Sequence, residues 1–120
     1  MPCCLIVDDN ALNRELAAHL LAGDGFEVIE ADGAVAALAQ LSLRVPDVML
    51  LDLAMPGMDG FALAALLRRA PATATLPLVA FTALALPRER EAALAAGCNG
   101  CITKPIEIDQ FVGQVRAWLR

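Results

Sequence analysis

The sequence predicts an α/β fold, a five-stranded parallel sheet with helices on both faces. Three observations predict it. Short unbroken apolar runs such as Val48-Met49-Leu50-Leu51 read as strands buried on both faces. Segments with apolar residues at helical spacing separate those runs, so strand and helix alternate, which implies parallel strands joined by right-handed crossovers. Four of the five runs lead into charged or hydroxyl residues, Asp8-Asp9, Asp52, Thr82 and Lys104, and the carboxyl edge of an open parallel sheet is where ligands bind. A single aspartate there often does no more than open a loop or cap a helix. The convergence of four such ends carries the functional reading.

Strand one is Cys3-Cys4-Leu5-Ile6-Val7, followed by Asp8-Asp9-Asn10. Leu12, Leu16 and Leu20, with Ala17 and Leu21, recur at helical spacing and stop near Gly23, a natural C-terminal end for helix one. His19 falls off that stripe and reads as an exposed helix residue. Phe26-Glu27-Val28-Ile29-Glu30 is strand two, and Asp32-Gly33 opens an alanine-rich helix carrying Val35, Leu38 and Leu41. Strand three enters at Val45-Pro46-Asp47 and ends at Asp52. The loop Leu53 to Gly60 holds Pro-Gly and then Asp-Gly, strong loop punctuation. Phe61, Leu63, Leu66 and Leu67 mark helix three, closed by Arg68-Arg69-Ala70-Pro71. Leu76 to Phe81 is strand four, with Thr82 at its end. Pro87 suits the first turn of helix four, Glu89 and Glu91 its amino-terminal half, and Gly97 stops it. Strand five, Gly100 to Thr103, leads to Lys104-Pro105. Ile108, Phe111, Val112, Val115, Trp118 and Leu119 give helix five.

A chain of 120 residues has room for one domain, residues 1–120, and can bury enough surface to fold without staples. Nine basic against 14 acidic residues give a net charge of −5, and the longest basic run is Arg68-Arg69, which argues against direct nucleic-acid binding. Hydrophobic residues make up 58% of the chain, much of it alanine. The longest nearly apolar stretch, Leu76 to Pro87, contains Thr82 and two prolines and falls short of the roughly 20 residues a membrane helix needs. The amino terminus has no basic n-region ahead of Asp8-Asp9, so no signal peptide is expected, and a cytoplasmic location is.

Cys98-Asn99-Gly100-Cys101 has the C-x-x-C spacing of redox and zinc sites. Zinc would need two further ligands, yet His19 is the only histidine, and Cys3 and Cys4 on one strand point to opposite faces. All four cysteines are read as small hydrophobes, with a redox role for the C-x-x-C pair as the alternative.

A sheet order of 2-1-3-4-5, the flavodoxin-like arrangement, places the switch point between strands one and three. Those strands end in Asp8-Asp9 and Asp52, whose crowded charges repel and raise one another's pKa. A hard cation relieves the conflict, and an oxygen-only donor set suits Mg2+, which in turn favours phosphate. Lys104 is the only lysine among nine basic residues. Its ammonium and the Thr82 hydroxyl could each meet a phosphoryl oxygen.

Asp8-Asp9, Asp52, Thr82 and Lys104-Pro105, with Met55-Pro56-Gly57-Met58-Asp59-Gly60 between them, resemble the receiver domain of bacterial two-component response regulators, over essentially the whole chain. The segment Asp9 to Asn13 further resembles single-domain receivers and those of hybrid histidine kinases. The resemblance implies that Asp52 accepts a phosphoryl group from a phosphohistidine of a histidine kinase or histidine phosphotransfer protein. It implies Mg2+ held by Asp9, Asp52 and the Ala54 carbonyl, with Asp8 assisting through water. Thr82 would turn toward the phosphoryl group, Lys104 would pair with it, and the bond preceding Pro105 would be cis. Switching would alter the surface of helix four, strand five and helix five for a downstream protein partner. Helix five is expected to run to Arg120, so no output domain is expected within these 120 residues.

The chain departs from the family's pattern at Cys101, where receivers usually carry an aromatic switch residue three positions before the lysine. Thr82 movement is then expected to act through the backbone from Ala83 to Leu86. Ala54 and Leu84 are apolar where many receivers place polar side chains, so slow self-dephosphorylation is expected. A Mg2+-dependent phosphatase is the enzymatic alternative, weakened by Ala54 at the position a general acid would take.

Overall fold

The computed structural model describes residues 1–55, 59–83 and 86–119. Ten elements alternate along them: β1 (Cys3–Val7), α1 (Ala11–Gly23), β2 (Glu27–Ala31), α2 (Ala34–Leu43), β3 (Val48–Leu51), α3 (Gly60–Arg69), β4 (Leu78–Thr82), α4 (Pro87–Ala96), β5 (Gly100–Thr103) and α5 (Ile108–Arg116). The strands form one parallel sheet in the predicted order β2-β1-β3-β4-β5. Every residue of β1, β3 and β4 is buried, as their unbroken apolar runs require, whereas edge strands β2 and β5 keep partly exposed positions.

Two cores sandwich the sheet. On one face Leu5, Val7, Met49, Leu51, Leu78 and Ala80 meet Ala37 and Leu41 of α2, Leu63 and Leu67 of α3 and Ala93 of α4. On the other, Cys4, Ile6, Leu50, Val79, Phe81 and Ile102 meet Ala17 and Leu21 of α1 and Phe111 and Val115 of α5. Phe81 and Phe111 pack with ring centroids 5.7 Å apart.

The local chemistry accounts for the element ends. Asn10 and Asp59 cap α1 and α3 by accepting from the amides of Asn13 and Ala62. Pro87 opens α4, and Gly97 closes it with a φ of +119°, a left-handed conformation that glycine adopts without strain. Gly33 caps α2 without a side-chain hydrogen bond.

The apolar stripes need correction. Of the stripe expected on α1, Ala17 and Leu21 are buried and Leu20 packs against them, whereas Leu12 is 79% exposed and Leu16 39% exposed. Val35 of α2 and Ile108 of α5 also face solvent. Leucines and alanines populate more than one face of α1, and docking against the sheet selects among them. Pro56, Gly57 and Met58 of the predicted loop, and Leu84, lie outside the described residues.

Candidate functional site at the carboxyl edge of the sheet

The sheet's own ladder carries the candidate residues to its edge. One residue beyond each strand, the Asp8 amide donates to the Ala31 carbonyl (3.1 Å), the Asp52 amide to Val7 (2.9 Å) and the Lys104 amide to Thr82 (2.9 Å). The backbone is thus held in register exactly where the chemistry-bearing side chains begin, and β1 and β3 are neighbours. Asp8, Asp9 and Asp52 can each offer one carboxylate oxygen, all within 4.8 Å of one another. Asp8 and Asp52 are buried and Asp9 is exposed.

Lys104 comes from the far edge strand, its ammonium 5.0 Å from the centroid of the Phe81 ring. Nζ lies 2.7 Å from Asp8 Oδ2 and 3.4 Å from Asp52 Oδ2. Asp8 Oδ2 is buried and accepts no well-aligned hydrogen bond, so charge attraction compensates it. Its other oxygen accepts from the Asn10 amide at 2.9 Å. Asp52 Oδ1 accepts from the Ala54 amide at 3.1 Å. Burial pushes the Asp52 carboxyl above its ordinary pKa, and the neighbouring Asp8 adds to the rise, while the Ala54 amide and Lys104 oppose it.

These residues fit a hard divalent cation. The donor set is oxygen only, and a buried carboxylate oxygen without a directed hydrogen bond is a natural ligand. Thr82 is buried at the end of β4, paired in register with Thr103. The Lys104-Pro105 peptide bond is cis.

Cys101 sits on β5 in register with Ala80, partly exposed and packed against the α2–α3–α4 core. Burial raises the pKa of all four thiols, that of Cys98 to about 11. They stay protonated at neutral pH, which makes them poor nucleophiles.

Two residues of this edge escape the sequence reading. Gly60 opens α3 directly against the Asp52 backbone, where a Cβ would stand 2.3 Å from the Asp52 carbonyl oxygen and 2.6 Å from Leu53 Cα. The Asp-Gly pair signals a turn, but no local pattern reveals that approach. Arg14 donates from Nη1 to the Asp8 carbonyl at 2.8 Å and from Nε to Glu30 at 3.1 Å. Its one legible sign is a cation close to the N-terminus of a helix, the end that the dipole makes unfavourable.

An open parallel sheet with three carboxylates and a lysine converging at its switch point defines a small doubly wound domain built around a cation-ready acidic site. The response regulator receiver domain matches residues 4–116, and the chain belongs to that family. It is 41% identical over 114 residues to an uncharacterized 14.6 kDa protein of Leptolyngbya boryana, covering 95% of this chain and 87% of that one. It is 39% identical over 105 residues to the sensor histidine kinase RcsC of Salmonella typhimurium, covering 88% of this chain but only 11% of the kinase. The solved structure of the Vibrio cholerae chemotaxis protein CheY4 superimposes with a TM-score of 0.94 at 28% identity, covering 99% of both chains.

The chain is therefore a receiver of two-component phosphorelay signalling, and neither the phosphatase nor the redox alternative is favoured. Receivers are phosphoacceptor switches that bind Mg2+ through acidic residues and interact with histidine kinases or phosphotransfer proteins. Among the described residues no helix is long and apolar enough to cross a membrane.

Proposed function

We propose that residues 1–120 act as one cytoplasmic receiver domain in which Asp52 is the phosphoacceptor and Asp8, Asp9, Asp52 and the Ala54 carbonyl hold Mg2+. The observation that carries the reading is the meeting of Asp52 with Asp8, Asp9 and Lys104 at the switch point of the sheet. A bound Mg2+ supplies charge neutralisation for the phosphoryl oxygens. An Asp52 oxygen forms the new O–P bond as the N–P bond of a phosphohistidine breaks, and the imidazole leaves with the electron pair. This chemistry needs alignment and charge compensation more than covalent help. The Ala54 amide orients the acceptor carboxylate.

After transfer the phosphoryl group competes with Asp8 for Lys104, already 3.4 Å from Asp52 Oδ2. Thr82 turns its hydroxyl to a second phosphoryl oxygen. With Cys101 in place of the usual aromatic, the movement passes through the backbone from Ala83 to Leu86. It alters a surface of α4, β5 and α5 that includes the exposed Leu86 and the partly exposed Trp118. A downstream protein partner reads that surface, or the phosphoryl group passes onward to a phosphotransfer histidine.

The test is intact-protein mass after treatment with acetyl phosphate and Mg2+. One added phosphoryl group is expected, dependent on Mg2+ and absent in Asp52→Ala. No gain with acetyl phosphate or with a phosphohistidine donor would overturn the assignment, as would an equal gain in the variant. The phosphorylated form should be long-lived, because neither Ala54 nor Leu84 has a side chain that can hydrogen-bond the attacking water. A lifetime of seconds in a phosphate-release assay would refute that.

A further inference from the structure

We propose that Arg14 is a positioning residue for the cation site. Its guanidinium orients the Asp8–Asp9 peptide so that the Asp9 carboxylate faces the ion. The inference rests on the reading of Asp8, Asp9 and Asp52 as Mg2+ ligands.

Asp8 is tied down at three points. Its amide donates to Ala31 at 3.1 Å, its Oδ1 accepts from the Asn10 amide at 2.9 Å, and its carbonyl accepts from Arg14 Nη1 at 2.8 Å. The carbonyl belongs to the peptide that joins Asp8 to Asp9, so Arg14 sets the plane from which the Asp9 side chain departs. Asp9 is exposed, and no protein hydrogen bond to its carboxylate is seen among the described residues. Its placement therefore depends on the backbone.

Arg14 is itself anchored. Nε pairs with Glu30 Oε1 at 3.1 Å, and the side chain is only 17% exposed. Glu30 lies on β2 in register with Ile6 of β1. The arginine thus spans from α1 to β2 across the end of β1, using two faces of its fork at once. A lysine would carry the charge without the planar fork.

Charge and geometry predict opposite results. As a cation near three carboxylates, Arg14 by charge alone would weaken Mg2+ binding, and its removal would tighten it. As a positioning residue, its removal weakens binding by about 10-fold, the scale on which groups that orient metal ligands act.

Calorimetric titration with Mg2+ of the wild type, Arg14→Ala and Arg14→Lys decides between them, with thermal unfolding in the absence of Mg2+ as the control for folding. Both variants are expected to bind about 10-fold more weakly, Arg14→Lys showing that restored charge does not restore affinity. Should Arg14→Ala fail to fold, Arg14→Lys carries the same test. Unchanged or tighter binding in the folded variants overturns the inference while leaving the ligand assignment intact. A wild type that binds no Mg2+ overturns the ligand assignment itself, and this inference with it.

Discussion

Asp52 is held where its charge is least welcome. Burial raises its pKa in the folded state above the unfolded value, with Asp8 contributing. The protonated form is then favoured by folding, so the stabilisation is fully present below the unfolded pKa and is lost as pH rises through the folded one. Asp52→Asn should therefore be more stable than the wild type at neutral pH, with the two converging under acidic conditions. Urea unfolding midpoints measured across that range test this, and added Mg2+ should narrow the neutral-pH gap by stabilising the wild type more than the variant, which lacks one of the carboxylate ligands. A midpoint difference independent of pH would show that Asp52 ionisation is not its source.

Helix α3 contributes to the site through the absence of a side chain. Gly60 stands against the Asp52 carbonyl and Leu53 Cα, backbone atoms that cannot rotate away. Gly60→Ala should destabilise the fold by about 1–3 kcal/mol, the range for overpacking, and weaken Mg2+ binding by displacing Asp52. Denaturant unfolding and metal titration measure the two effects, and an unperturbed variant would mean that α3 shifts freely. Element identity and order were legible in the sequence, since Gly97, Pro87 and the unbroken runs act locally. The buried face of α1 was legible only in part, because Leu12, Leu16, Ala17 and Leu21 are all apolar and docking kept Ala17 and Leu21 while leaving Leu12 and Leu16 exposed.

Across the whole molecule, the sheet order turns distant segments into one site. Asp8 and Asp52 meet because β1 and β3 are neighbours, whereas Lys104 reaches them from β5, beyond β4, past the Phe81 ring. Lys104→Ala would leave Asp8, fully buried, without its countercharge. A loss of about 3–5 kcal/mol is expected, as for breaking one side of a buried ion pair, with Mg2+ restoring part of it. Chemical denaturation with and without Mg2+ provides the check, and a neutral effect would mean that Asp8 is compensated otherwise.

The sequence by itself determined the alternation of strand and helix and which residues stand at the strand ends, because periodicity and two-sided burial are written in local composition. That Asp8-Asp9, Asp52, Thr82 and Lys104 follow or end strands was legible for that reason. Only the tertiary structure decided that Lys104 sits closer to Asp8 than to Asp52, that Arg14 grips the Asp8 carbonyl, and that Gly60 leaves no space above Asp52. Those are distances between segments remote in the chain, set by how helices dock on the sheet, and no local pattern encodes them.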